Sequence, residues 1–258
     1  MKKMGLLFGI IISASLFPQT AFAQEEVNVY SFRQSFLIEP ILEKFTAETG
    51  IKTKVIFAKK GLVERIKREG KYSPADVVLT SNFSKLLQLK DEGLTQSFDM
   101  SSLENNVPAK YRDQEGHWAA LTKRARNIYA SKSNVENTNL DYEDLAAPDF
   151  KGKICTRSGK HPYNLGLIAS MIAHKGEAEA KKWLMSVKAN LARKPQGNDR
   201  AQVKAIKEGL CDVSLGNSYY FGKMITNPDQ KPWADAVNII FPNQSNRGSH
   251  VNVSGAVI

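Results

Sequence analysis

At 258 residues, with 42% hydrophobic and 9% aromatic side chains, the chain can bury the core of one large domain or of two lobes, which excludes disorder. Its formal charge of +10 would suit nucleic acid, but the N-terminus argues for export, and an exported protein seldom meets nucleic acid. A positive field in that setting steers anions or docks an acidic membrane partner.

Residues 1–23, "MKKMGLLFGIIISASLFPQTAFA", set Lys2 and Lys3 before an apolar stretch from Met4 to Phe17 and end on Ala21-Phe22-Ala23. Charge, apolar run and small residues before a cut form the secretory signal pattern. The alternative, a membrane anchor, needs roughly 20 apolar residues, and this run is shorter. The mature chain is expected to start near Gln24. In an exported protein the even pair Cys155 and Cys211 predicts a disulfide; two buried free thiols are the alternative.

From there strand and helix signals alternate. "VNVYSF" is a short apolar strand, and "EPILEKFTAETG" is a helix with Pro40 near its start and Gly50 at its end. "IKTKVIF" alternates at period two, "GLVERIKREG" is a second helix closed by Gly70, "ADVVLT" is a buried strand and "FSKLLQLKDEG" a third helix. The basic crowd from Lys52 to Lys71 reads as a solvated face. An irregular polar stretch follows, then strand "KRARNIYAS", a turn-rich "DYEDLAAPDFKG", strand "KICTRS", helix "NLGLIASMIAHKG" and a long helix from Glu177 to Leu191. Loop "ARKPQGNDR", helix "AQVKAIKEG" and strand "DVSLG" come next, and "AVNIIFPNQ" and "HVNVSGAVI" are two late strands. The pattern predicts an α/β protein of two lobes, each a mixed sheet flanked by helices, with a ligand cleft between them. Residues 24–126 and 238–258 are assigned to lobe 1, and residues 127–237 to lobe 2.

Ligands of open α/β sheets bind at strand carboxyl ends. Tyr163 in "RSGKHPYN" and the pair Tyr219 and Tyr220 in "GNSYYFG" lie there, and they converge if the two strands before them are neighbours. Phenols titrate near pH 10 and are poor acid–base catalysts at neutral pH. As phenolates they suit a hard trivalent cation, whereas zinc sites use Cys and His and calcium or magnesium sites use carboxylates. Arg124 and Arg126, two apart on one strand, share a face and offer a fork to a bidentate anion such as carbonate. Asn198 and Asn217 are candidate hydrogen-bond donors to the ligands. Blander roles stay open: an aromatic lobe interface or stacking platform for the tyrosines, surface ion pairs for the arginines, and turn or cap chemistry for the asparagines. Two other functions also stay open. An organic solute such as a polyamine, phosphonate or sugar would use the same fold. A secreted hydrolase finds raw material in Ser31, His161 and Asp199, but neither a GxSxG elbow nor an HExxH helix occurs.

The blocks "NVYSFRQ", "SPADVVLT", "KRARNIY", "YEDLAAPDFKGKICTRSGKHPYNLGLIASMIAHKG", "LARKPQGNDRAQVKAI", "CDVSLGNSYYFGKM" and "FPNQSNRGSHVNVSGA" resemble the ferric-iron-binding periplasmic proteins of bacterial ABC importers, which are type II periplasmic binding proteins. The resemblance covers nearly the whole mature chain. It implies a non-enzymatic, monomeric periplasmic protein that binds Fe3+ through Tyr163, Tyr219 and Tyr220 and passes it to an inner-membrane permease. It also implies a synergistic anion such as carbonate on an arginine of the "RAR" strand, with Arg126 ahead of Arg124. The first loop, which holds a His or Tyr ligand in many relatives, here reads "SFRQSF"; Arg33 and Gln34 are its polar contributions near the ligands. Relatives also continue beyond the equivalent of Ile258, so a C-terminally shortened lobe 1 is expected.

Overall fold

Two sheets share one strand in the computed structural model, which describes residues 26–258; the expected signal segment lies outside them. That strand, β4 (Ala119–Ser131), runs for 13 residues. Before it come β1 (Glu26–Ser31), α1 (Ser35–Thr49), β2 (Lys52–Phe57), α2 (Leu62–Glu69), β3 (Val77–Leu79) and α3 (Phe83–Asp91). After it come β5 (Ile154–Cys155), α4 (Pro162–Lys175), α5 (Glu177–Ala189), α6 (Asp199–Lys207), β6 (Val213–Asn217), α7 (Ser218–Ile225), α8 (Lys231–Asp235), β7 (Val237–Ile240) and β8 (Val251–Val257).

In the first sheet β1 pairs in parallel with β2 and β3, and β8 runs antiparallel to β3 and to the first half of β4. In the second, the far half of β4 pairs antiparallel with β6 and β7, and β5 lies parallel to β6. β4 changes sheet between Ala125, which faces Val251, and Arg126, which faces Asn217. Arg124 and Arg126 therefore flank the crossover, Arg124 paired with Asn252 in the first sheet and Arg126 with Asn217 in the second.

Alternation along β4 builds the second sheet's two cores. Ile128 and Ala130 bury against Leu167 and Met171 of α4 and Trp183 and Val187 of α5. Tyr129 buries on the opposite face with Val203, Ile206, Met224 and Val237. Each fully buried aliphatic side chain contributes about 1.5–3 kcal/mol, so these two layers hold β5 and β6 side by side. Cys155 and Cys211 are joined as a disulfide beside them. The first sheet is filled on one face by Tyr30, Leu62, Leu86, Leu89 and Trp118. Its other face carries the smaller cluster of Val29, Leu79 and Ile38 of α1.

Two expectations are corrected. Pro40 lies inside α1, as its sixth residue, because that helix already begins at Ser35; the proline removes one helical N–H donor. The return to the first sheet comes later than residue 238. β7 pairs with the second half of β4 from Ser131↔Val237 to Ile128↔Ile240, and Asn243 stays tied to Asp141 and Tyr142. The chain rejoins the first sheet only at Val251. Among the described residues, no helix is long and apolar enough to cross a membrane.

Candidate metal centre

The three tyrosines do converge, and both supporting elements are helix starts. Tyr163 is the second residue of α4, after Pro162, and the N-cap His161 accepts through Nδ1 from the Tyr163 N–H at 3.2 Å. Tyr219 and Tyr220 are the second and third residues of α7. Parallel pairing of β5 with β6, Cys155 beside Ser214, sets the two helix N-termini next to each other. The hydroxyl oxygens of Tyr163 and Tyr219 lie 3.2 Å apart. The rings of Tyr219 and Tyr220 sit 4.3 Å apart at an interplanar angle of 36°. Two successive positions in a first helical turn thus bring both phenols to one side. The end of β6 is held in place by Tyr129, whose hydroxyl donates to the carbonyl of Asn217. Gly216 makes room for that ring, since a Cβ there would meet Tyr129 Cε2 at 2.2 Å.

The surroundings are cationic. The guanidinium carbons of Arg157, Arg124 and Arg126 lie 5.1, 5.4 and 6.0 Å from the Tyr163 ring centroid. Burial pulls the Arg124 guanidinium below its ordinary pKa, with Arg33 adding to the shift and the phenols of Tyr163, Tyr219 and Tyr220 opposing it. Arg124 is therefore within electrostatic reach of all three phenols. Tyr219 is 37% exposed, yet its hydroxyl is held well above the usual phenol pKa, first by desolvation and then by Tyr163. His161 and His250 are held down at about 4, each first by burial and then by nearby arginines.

The two arginines of β4 are used differently. Arg126 donates through Nη1 to Asp199 Oδ2 at 2.7 Å and to Asn217 Oδ1 at 3.1 Å, and through Nη2 to Asn164 Oδ1 at 2.6 Å. Both of its terminal nitrogens are committed to protein acceptors. Arg124 donates through Nη2 to the Ser81 carbonyl at 2.7 Å. Arg124 Nε, Arg126 Nε and Asn217 Nδ2 are among the buried donors of this region that have no partner among the described residues. They belong to residues that line one small crevice with Tyr163, His250 and Asn252.

Of the remaining expected residues, Asn198 caps α6 by accepting from the Ala201 N–H at 3.1 Å, which is the cap alternative. Arg33 hydrogen-bonds to Ser254 Oγ. Gln34 is an exposed residue ahead of α1 and makes no side-chain cap. Arg157, Asp199, Asn164 and His250 complete the surroundings and were not predicted in these places; each sits in an ordinary turn, cap or loop motif with no spacing signal of its own. Among the described residues, no group of three or more His, Cys, Asp and Glu side chains is placed to hold a metal. A larger groove of 690 Å³ lies between α3, β8 and α4, but its walls are mainly apolar and include Phe83, Leu87, Trp118 and Leu165.

The chain matches the family of bacterial extracellular solute-binding proteins over residues 72–257. It is 44% identical over 236 residues to iron uptake protein A1 of Synechocystis, spanning 90% of this chain and 66% of that protein. A solved structure of Mannheimia haemolytica ferric iron-binding protein A in an open conformation is 54% identical with a TM-score of 0.84, over 91% of this chain and 74% of that one. A Trichodesmium protein solved with iron and citrate ligands is 41% identical with a TM-score of 0.84, over 90% of this chain and 75% of that one. With its crossover strand, its two mixed sheets and this extent of match, the chain belongs to the bacterial extracellular solute-binding protein family.

Proposed function

We propose that the protein is a periplasmic carrier that captures Fe3+ between Tyr163, Tyr219 and Tyr220, with a synergistic anion, and delivers it to an inner-membrane ABC importer. The observation that carries this reading is the 3.2 Å approach of the Tyr163 and Tyr219 hydroxyls with the Tyr220 ring tilted against that of Tyr219. Neighbouring oxygens in an octahedral site with bonds of about 2 Å lie about 2.8 Å apart. Two phenols this close need only a small shift to share one ion.

Ionising a phenol at pH 7 costs about 4 kcal/mol when its pKa is near 10, and more for Tyr219, whose pKa is raised. A trivalent cargo at bonding distance offsets that cost. The N-termini of α4 and α7 and the flanking guanidinium groups favour the phenolate form further. Three phenolates neutralise the ion and leave coordination positions for an anion. Its place fits the unpartnered donors Arg124 Nε, Arg126 Nε and Asn217 Nδ2, with Arg124 in the leading role because the terminal nitrogens of Arg126 are occupied. A polyamine is disfavoured here, since Asp199, the carboxylate beside the tyrosines, is fully buried and bonded to two arginines. Membership of a solute-binding family also argues against a hydrolase.

The pairing of β4 supports a division in which residues 26–125 with 251–258 make one lobe and residues 126–250 the other, with β4 and the start of β8 as the hinge. Capture on the second lobe followed by closure of the first is the expected cycle. The relatives' iron-binding names and the expected signal peptide support the periplasmic role.

Adding ferric citrate should give a visible tyrosinate-to-iron absorption band. Tyr163→Phe and Tyr219→Phe should each remove most of it, because each deletes one ligand. A band unchanged in both variants would contradict the site.

A further inference from the structure

The phenols arrive on two separate helices, α4 and α7, and something must set the distance between them. β5 and β6 place the helices roughly, but β5 is only two residues long. One buried ion pair reaches the neighbours of both. Arg126 Nη2 donates to Asn164, the residue after Tyr163. Arg126 Nη1 donates to Asn217, two residues before Tyr219. Asp199 Oδ2 accepts from the same Nη1 and from the Asn217 backbone N–H at 2.9 Å. Its other oxygen accepts from Arg157 Nη1 at 3.1 Å, so both sides of the carboxylate are used. Asn164 passes the link on through Nδ2 to Thr156 Oγ1 and to the carbonyls of Arg157 and Ser158 in the turn leading into α4. Asp199, Arg126, Asn217 and Asn164 are all buried, at 0%, 2%, 3% and 6% exposure.

A buried pair of this kind is weak as a source of stability, since desolvation offsets most of the attraction. What it supplies is geometry: in a low-dielectric interior its hydrogen bonds are stiff and directional. Three of this pair's contacts end on Asn164, beside Tyr163, or on Asn217, two residues before Tyr219. We infer that the Arg126–Asp199 pair is a brace that sets the separation between Tyr163 and the Tyr219–Tyr220 pair, which makes both members positioning residues of the metal site. The inference rests on the tyrosine reading of the iron site. It gives Arg126 a role distinct from holding the anion, and it explains why an acidic residue is buried in a centre otherwise lined with cations.

Three variants separate positioning from folding. Arg126→Met/Asp199→Leu replaces the ion pair with apolar groups, a change that buried pairs commonly tolerate in stability. Asp199→Asn keeps the shape and removes the charge. Asn164→Leu cuts only the arm to α4 and leaves the ion pair. Each is titrated with ferric citrate, and the visible band is measured per bound iron alongside the melting temperature of the metal-free protein. The brace predicts that the double variant and Asn164→Leu fold but bind iron about 10- to 100-fold more weakly, with a band shifted or reduced per bound ion. If every variant that folds keeps the wild-type band and an affinity within about twofold of wild type, the brace is overturned while the tyrosine site stands. If wild type itself gives no band, the tyrosine site falls, and the brace falls with it.

Discussion

In the proposed site, Tyr219 is the residue on which the chemistry turns. Desolvation and the adjacent Tyr163 phenol both favour its neutral form, so at neutral pH the metal-free protein holds Tyr219 as a phenol, not a phenolate. Iron must then displace protons. The sign is fixed: a raised phenol pKa places the protonated form across the whole physiological range, and capture weakens as pH falls. With three phenols ionising, each Fe3+ bound should release about three protons, and the apparent affinity should fall by up to about a thousandfold per pH unit. Titration of weakly buffered protein with a ferric chelate of known proton balance checks this. Release of one proton or none would mean that the phenols do not ionise on the metal.

At the scale of elements, the site depends on β5 and β6 lying side by side, and the disulfide fastens them. Cys155 ends β5, and Cys211 lies just before β6; their Cα atoms are 5.8 Å apart and they close a loop of 56 residues. A loop of that length predicts a contribution of roughly 4 kcal/mol. Cys155→Ser/Cys211→Ser should therefore lower the melting temperature by about 10 °C; a shift below about 2 °C would show that the packing of Tyr129, Val203 and Ile206 holds the strands unaided. The convergence of the phenols was legible in the sequence because it needed only two strand-end motifs and one assumption, that the strands are neighbours. The brace was not. Asn164, Arg157 and Asp199 look like turn and cap residues along the chain, and only pairings such as Arg126↔Asn217 bring them together. The Asn198 cap shows the same limit in reverse, since a polar residue close to the site in sequence spends its side chain on its own helix.

For the whole molecule, β4 is the organising strand. Its outward half belongs to the first sheet and its far half to the second, so a bend near Ala125 would move one sheet against the other without breaking either. The two-sheet architecture was readable from the alternation of strands and helices. The return point was not, because β7 and β8 look alike as apolar runs and only pairing reveals that they join different sheets. Arg124 sits at that crossover, donating to Ser81 in the first sheet's loop while its guanidinium lies 5.4 Å from the Tyr163 ring. It thus links the first sheet's loop to the proposed iron site. The most direct test is a crystal structure of the iron-loaded protein with anomalous diffraction at the iron edge. One strong peak within about 2 Å of the hydroxyl oxygens of Tyr163, Tyr219 and Tyr220 is predicted. A peak elsewhere, with those three oxygens still sharing only hydrogen bonds, would contradict the account.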